Sequence, residues 1–213
     1  MAPFAAPLGE VAHVHLLDFE GHGEAPPTGQ PFGMARFAAN ILGYLDAHGI
    51  GRADAFGYSM GGYAALCLGA EAPERLGRIA TLGTKFAWDA ATAAREVARL
   101  DPEAIRLKVP RFADQLALRH GADRWQDLVR ETAAMMTALG EAPDLTAEAL
   151  ATIGHPVRIC VGDRDELVTL EESVATYRAL PAGELAVLPA TSHPFERVDA
   201  GVLARALAGF FGA

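Results

Sequence analysis

Gly57-Tyr58-Ser59-Met60-Gly61 is the stretch of this sequence best suited to chemistry. A serine hydroxyl is a poor nucleophile until a base lies within hydrogen-bond reach and a carboxylate orients that base. Ser59 falls between residues 53–57, which read as a strand, and residues 63–72, which read as a helix. G-x-S-x-G in that setting predicts a nucleophile elbow, a sharp turn in a backbone conformation that most residues resist. Glycines two before and two after the serine remove the side chains that would clash where strand and helix close on each other. The helix that follows aims its first amides, and the positive end of its dipole, at the reacting centre.

Partners for Ser59 lie far along the chain. Gly162-Asp163-Arg164-Asp165 directly follows a strand at 157–161, and Asp163 and Asp165 both qualify as the carboxylate. His193, in Thr191-Ser192-His193-Pro194, follows a strand at 184–188 and is the only histidine after these aspartates. Ser, Asp and His thus occur in order, each on a loop after a strand, which is one of the chain orders in which hydrolytic triads occur. A calcium loop is excluded, because the next alternate position is Leu167 and no turn glycine follows. His13 and His15 share one face by period two, but no third ligand is nearby, so neither metal nor cofactor is expected.

These residues need a scaffold. The chain has 213 residues, 51% of them hydrophobic and 21% charged, with no break in composition, which predicts one domain with a sizeable core. A net charge of −9 disfavours nucleic acid or an anionic membrane as a partner and leaves a small-molecule substrate. Cys67 and Cys160 sit in apolar runs and read as buried free thiols, which suits a cytoplasmic protein. The first ten residues lack the pattern of a signal peptide, and no apolar stretch is long enough to span a bilayer. Strands are expected at 11–18, 53–57, 78–83, 157–161 and 184–188, and helices at 32–48, 63–72, 169–180 and 199–211. Such alternation predicts an α/β fold, a mostly parallel sheet with helices on both faces and reactive groups at the strands' carboxyl ends. Residues 86–152 contain no convincing strand. Asp101 and Pro102 start a helix there, and 122–139 is amphipathic, with Trp125, Leu128, Val129, Thr132, Met135, Met136 and Leu139 on one face and Gly140 as its stop. The expected organisation is a core of 1–85 and 153–213 with a helical cap, 86–152, inserted in it.

The sequence resembles the α/β-hydrolase superfamily, in its capped branch of esterases, C–C bond hydrolases and related enzymes. Asp18-Phe19-Glu20-Gly21-His22-Gly23, Gly57 to Gly61, Gly162 to Asp165, and Ser192-His193 carry the resemblance. It implies that the acid is Asp165, by position in G-x-x-D, and that the Met60 amide is one oxyanion donor. Ser59 argues against the dehalogenases and epoxide hydrolases of that superfamily, which place an aspartate at the elbow. In one respect the chain departs from the pattern. Family members carry strands ahead of the D-x-x-G-H-G strand, the last ending in a His-Gly loop that supplies the second oxyanion amide. No His-Gly occurs here ahead of His22. Losing one donor costs on the order of 10²–10³ in turnover, so a weak hydrolase is expected. Residues 11–18 must then pair with 53–57, stay partly detached, or recruit a strand from another chain, which would make a homo-oligomer.

The function implied is hydrolysis of a small carboxylic ester, with Ser59 as nucleophile, His193 as base and Asp165 orienting it. Tyr58, Phe86, Trp88 and Phe195 are candidates for pocket walls, since each stands beside a strand end. Two rivals remain: a C–C bond or thioester hydrolase with the same triad, and a binding protein that uses the pocket as a receptor.

Overall fold

The computed structural model describes Gly9 and residues 12–212. Four strands, β1 (Ala53–Tyr58), β2 (Leu76–Leu82), β3 (Val157–Gly162) and β4 (Gly183–Leu188), form one sheet in the order β1-β2-β3-β4, and every pair is parallel. Parallel neighbours require crossovers, which helices supply. α1 (Met34–Ala47) precedes the sheet, α2 (Met60–Glu71) joins β1 to β2, α8 (Leu170–Ala179) joins β3 to β4, and α9 (Ala200–Phe211) follows β4. The long β2–β3 connection carries α3 (Ala90–Val97), α4 (Pro102–Lys108), α5 (Pro110–His120), α6 (Trp125–Glu141) and α7 (Ala147–Ala151).

The central strands are covered on both faces, which is why they read as mostly apolar runs rather than alternating ones. Ile79, Ala80, Val157, Ile159, Cys160 and Val161 are all buried. α9 lays Leu203, Leu207 and Phe210 onto Ala80, Leu82, Cys160 and Leu188. Truncating a leucine so enclosed, such as Leu207, costs roughly 2–5 kcal/mol. The local start signals act as the sequence implies. Asp101 accepts from Glu103 N and Ala104 N at the head of α4, and Asp199 accepts from Val202 N at the head of α9.

The chain divides into two compact units. One holds residues 12–17, Ile41–Phe86 and Leu145 onward, and so contains the sheet; the other holds Asp18–Asn40 and Ala87–Asp144. In the second unit α3 lies against α6. Of the seven residues on the expected apolar face, Trp125, Leu128, Val129, Met135 and Leu139 are buried and Thr132 and Met136 are half-buried.

Three expectations need correction. Residues 13–18 form no strand: they lie outside the ladder, Leu16 and Leu17 are exposed, and the described part of the segment is held by His15 Nδ1 against Tyr44 Oη at 2.9 Å. A strand-like side-chain pattern does not make a strand without a neighbour to bond; Val11 lies outside the described residues. Gly140 does not stop α6, which runs on to Glu141. Its missing side chain serves a close approach instead, since a Cβ there would run into Ala93 of α3 and the carbonyl of its N-cap, Asp89. Cys67 is half-buried; Cys160 is buried, which pushes its thiol up to about 12. Among the described residues, no helix is long and apolar enough to cross a membrane and no group of three His, Cys, Asp or Glu side chains could hold a metal.

The Gly21-His22-Gly23 turn is built into the second unit. Gly23 N–H donates to His120 Nδ1 at 2.9 Å, Arg124 Nη2 donates to the Gly23 carbonyl at 3.3 Å, and His22 Nδ1–H donates to the Glu20 carbonyl at 3.1 Å. Burial, with His22 and Arg119 nearby, lowers His120 from 6.5 to about 4. The unfolded chain therefore binds this proton first as pH falls, so stability should be full above about 6.5 and decline toward about 4. His120→Asn keeps an acceptor for Gly23 N–H and removes the proton site. It should flatten that decline in denaturant midpoints taken across the interval, and a slope equal to that of the unaltered chain would refute the assignment.

Candidate active site

Three of the four strands end in a residue or loop named from sequence. Ser59 follows β1 directly, Asp163 and Asp165 follow β3, and His193 lies on the loop after β4. β2 ends between them at Leu82, followed by Gly83 and Thr84.

The turn at Ser59 is the elbow expected. Ser59 has φ 50° and ψ −117°, and with Ala190 it is one of two non-glycine residues at positive φ among those described. Such a conformation costs about 1–3 kcal/mol and persists only where the surroundings over-determine it. β2 supplies that restraint: Ser59 N–H donates to the Leu82 carbonyl at 2.8 Å, and Thr84 Oγ1–H donates to the Ser59 carbonyl at 2.8 Å. Gly57 is needed because a Cβ there would collide with the main chain of Gly61 and Gly62. Met60 is the first residue of α2, so its N–H has no acceptor within the helix and is available at the turn.

Asp165 and His193 form a closed pair. His193 Nδ1 lies 2.9 Å from Asp165 Oδ2 and 3.1 Å from Oδ1, with the Asp165 side chain 3% exposed. Burial alone would raise the Asp165 carboxyl. Hydrogen bonds from His193 and from the Val168 and Leu167 amides outweigh it, and the group lies below the ordinary carboxylate value. An ionised carboxylate only accepts, so His193 Nδ1–H donates to it. Among the described residues Ser59 Oγ makes no hydrogen bond to His193, whereas the Asp165–His193 contact is closed. Asp163 has a different task. Its Oδ1 accepts from Thr191 N–H at 3.1 Å and so ties the histidine loop to the end of β3.

The aromatic candidates separate. The Tyr58 ring lies 5.4 Å from the His193 ring and 4.9 Å from that of Phe195. Phe86 is buried with its ring 6.1 Å from that of Tyr63. Trp88 belongs to the helical unit, half-buried there.

Two further residues frame the site. Gly83, at φ 59°, lies where a Cβ would stand 3.2 Å from Asp165 Oδ2 and 3.3 Å from His193 Nδ1. Glu172 is buried and accepts from Lys85 Nζ at 3.3 Å, Phe86 N–H at 3.0 Å and Thr169 N–H at 3.2 Å, so it anchors the segment that leaves β2. The signal for Glu172 was Thr169-x-x-Glu172, a capping box that the structure forms in full. Gly83 carried no signal beyond being a glycine at a strand end.

A family model described as alpha/beta hydrolase fold matches residues 2–136. The chain is 28% identical over 177 residues to the dihydrolipoyllysine-residue acetyltransferase component of the acetoin cleaving system of Cupriavidus necator, a match covering 76% of this chain and 47% of that protein. It therefore spans less than half the length of that curated relative. Among solved structures it is similar to 2-hydroxy-6-oxo-6-phenylhexa-2,4-dienoate hydrolase from Rhodococcus sp. strain RHA1, with TM-score 0.74 and 24% identity over 100% of this chain and 84% of that one. It is also similar to a thermophilic esterase from Thermogutta terrifontis, with TM-score 0.70 and 22% identity over 92% of this chain and 78% of that one.

Proposed function

We propose that this chain, which belongs to the α/β-hydrolase-fold family, is a serine hydrolase that cleaves a small carboxylic ester through an acyl-enzyme. The observation that carries the reading is the closed His193–Asp165 pair, 2.9 Å long, on the same sheet end as the strained Ser59 turn. In this mechanism His193 Nε2 takes the Ser59 proton as Oγ attacks the ester carbonyl. The Met60 amide, at the positive end of α2, donates to the oxygen that becomes negative. His193 then protonates the leaving alcohol, and water repeats the sequence to release the acid. Asp165 stabilises the imidazolium throughout.

Likeness to a hydrolase of a 2-hydroxy-6-oxo-dienoate favours a second reading, in which the same three residues cleave a C–C bond. The experiment that separates the readings is fluorophosphonate labelling, followed by turnover of p-nitrophenyl esters of increasing acyl length, a thioester and a 2-hydroxy-6-oxo-dienoate. The ester reading expects a covalent adduct and fastest turnover on short acyl chains. Faster turnover of the dienoate would replace it with the C–C reading, and the absence of any adduct would leave a binding protein.

Gly83 gives a further prediction. Gly83→Ala adds a Cβ at positive φ, at about 1–2 kcal/mol, and presses it on the Asp165–His193 pair. Ester turnover should fall about tenfold or more, as for a displaced catalytic group, alongside a lower melting temperature. Unchanged turnover would show that the pair tolerates the methyl group.

A further inference from the structure

Tyr58 stands one residue before Ser59, and its hydroxyl donates to the main-chain carbonyl of His193 at 2.8 Å. We infer that Tyr58 is a positioning residue: it ties the base to the nucleophile across the width of the sheet. The inference rests on the serine-hydrolase reading above.

Topology shows what the bond accomplishes. β1 and β4 are the two outermost strands of the order β1-β2-β3-β4, so no ladder hydrogen bond joins them. Ser59 follows the first and His193 the last. The Tyr58 hydroxyl joins their ends directly, over a sequence separation of 135 residues.

Just ahead of the imidazole the histidine loop is tied at Thr191. Thr191 is fixed on both sides, its N–H donating to Asp163 at 3.1 Å and its carbonyl accepting from Arg164 N–H at 3.1 Å. Those bonds hold the loop to β3 and do not reach the next two residues. The peptide unit after His193 leads into Pro194, which has no N–H, so its carbonyl is the one polar handle that unit offers. Tyr58 takes that handle. With Nδ1 on Asp165 and the carbonyl on Tyr58, His193 is held at its ring and at its backbone.

This differs from a pocket wall in what it predicts. A wall residue contributes to binding substrate, and its loss raises KM. A positioning residue sets the approach of base to nucleophile, and its loss lowers kcat. The ring of Tyr58 also packs against His193 and Phe195, so the hydroxyl must be tested apart from the ring.

Tyr58→Phe removes the hydroxyl and keeps the ring. On p-nitrophenyl esters kcat should fall about tenfold or more, with KM within about twofold. The rate of fluorophosphonate inactivation should fall by the same factor as kcat, because it needs the same base but no pocket fit. p-Aminophenylalanine at position 58 restores a donor to the same carbonyl and should recover most of the loss. Melting temperatures of all variants separate misfolding from misplacement, and Tyr58→Leu, which also loses the ring packing, should melt lower than Tyr58→Phe. Unchanged kcat in Tyr58→Phe, a change in KM alone, or no recovery with the amino analogue would overturn the inference while leaving the triad standing. Undiminished turnover in Ser59→Ala, or no labelling of the unaltered chain, would overturn the hydrolase reading and this inference with it.

Discussion

Ser59→Ala is expected to abolish fluorophosphonate labelling and to lower ester turnover by about 10⁴–10⁶, the loss typical of removing the nucleophile from a serine triad. A residual rate over water should survive, because the Met60 amide and the pocket remain. The fold should tolerate the change. Ser59 Oγ forms no hydrogen bond among the described residues, and the turn is held through the main chain by the Leu82 carbonyl and Thr84 Oγ1. Alanine inherits the strain of φ 50° and ψ −117°. Glycine does not, so Ser59→Gly should be at least as stable as Ser59→Ala despite the entropic cost of glycine in the unfolded chain, roughly 0.5–1 kcal/mol. Mass spectrometry of the labelled peptide and thermal denaturation of both variants check this. Labelling that survives in Ser59→Ala would refute the nucleophile, and a glycine variant clearly less stable than the alanine one would show that the turn stores no strain.

What could be read from the sequence was whatever is written locally. The elbow is legible because five adjacent residues specify a turn and its close approach. The β2 and β3 strands are legible because both of their faces are largely buried, and the positions of all four strands differ from the expected ones by at most a residue or two at either end. The Asp165–His193 pair is legible because a carboxylate and an imidazole stand just past strand ends, and parallel topology brings those ends together. Residues 11–18 misled because a side-chain pattern says what a strand would bury, not whether a neighbour is there to bond it. Gly140 misled because a glycine that ends a helix and one that lets another helix approach look the same along the chain. Glu172's bond to Phe86 N–H, unlike its capping box, and the Tyr58 hydroxyl's bond were invisible for a different reason: their partners are fixed by tertiary placement, 86 and 135 residues away in sequence. The grouping of Asp18–Asn40 with Ala87–Asp144 depends likewise on His120 and Arg124 meeting the turn at Gly23, which no local pattern announces.

Asp165→Asn should cost about 10⁴ in kcat, the loss found when the acid of such a triad becomes an amide, whereas Asp163→Asn should stay within about tenfold of the unaltered chain. The difference follows from which oxygen does what. Asp165 Oδ1 accepts from Leu167 N–H and Val168 N–H, both at 2.9 Å, while Oδ2 faces His193 Nδ1 at 2.9 Å. An asparagine keeps its oxygen on the two amides, because its NH₂ cannot accept from them. The NH₂ then stands where Oδ2 stood and donates to Nδ1. That forces the ring proton onto Nε2, the atom that must take the proton of Ser59, and the base is lost with the geometry intact. Among the described residues Asp163 accepts from Thr191 N–H at 3.1 Å, and an asparagine oxygen can keep that bond. The acid limb of the stability profile should change in the same variants. The Asp165 carboxyl is held below its ordinary value of 3.8, so its contribution is full above that value and is lost as pH falls through the lowered one. Asp165→Asn should therefore lose stability at neutral pH and show a shallower acid decline, and Asp163→Asn should not. Turnover of a p-nitrophenyl ester and denaturant midpoints from pH 7 downward measure both effects. Equal losses in the two variants, or the greater loss at Asp163, would transfer the acid's role to Asp163.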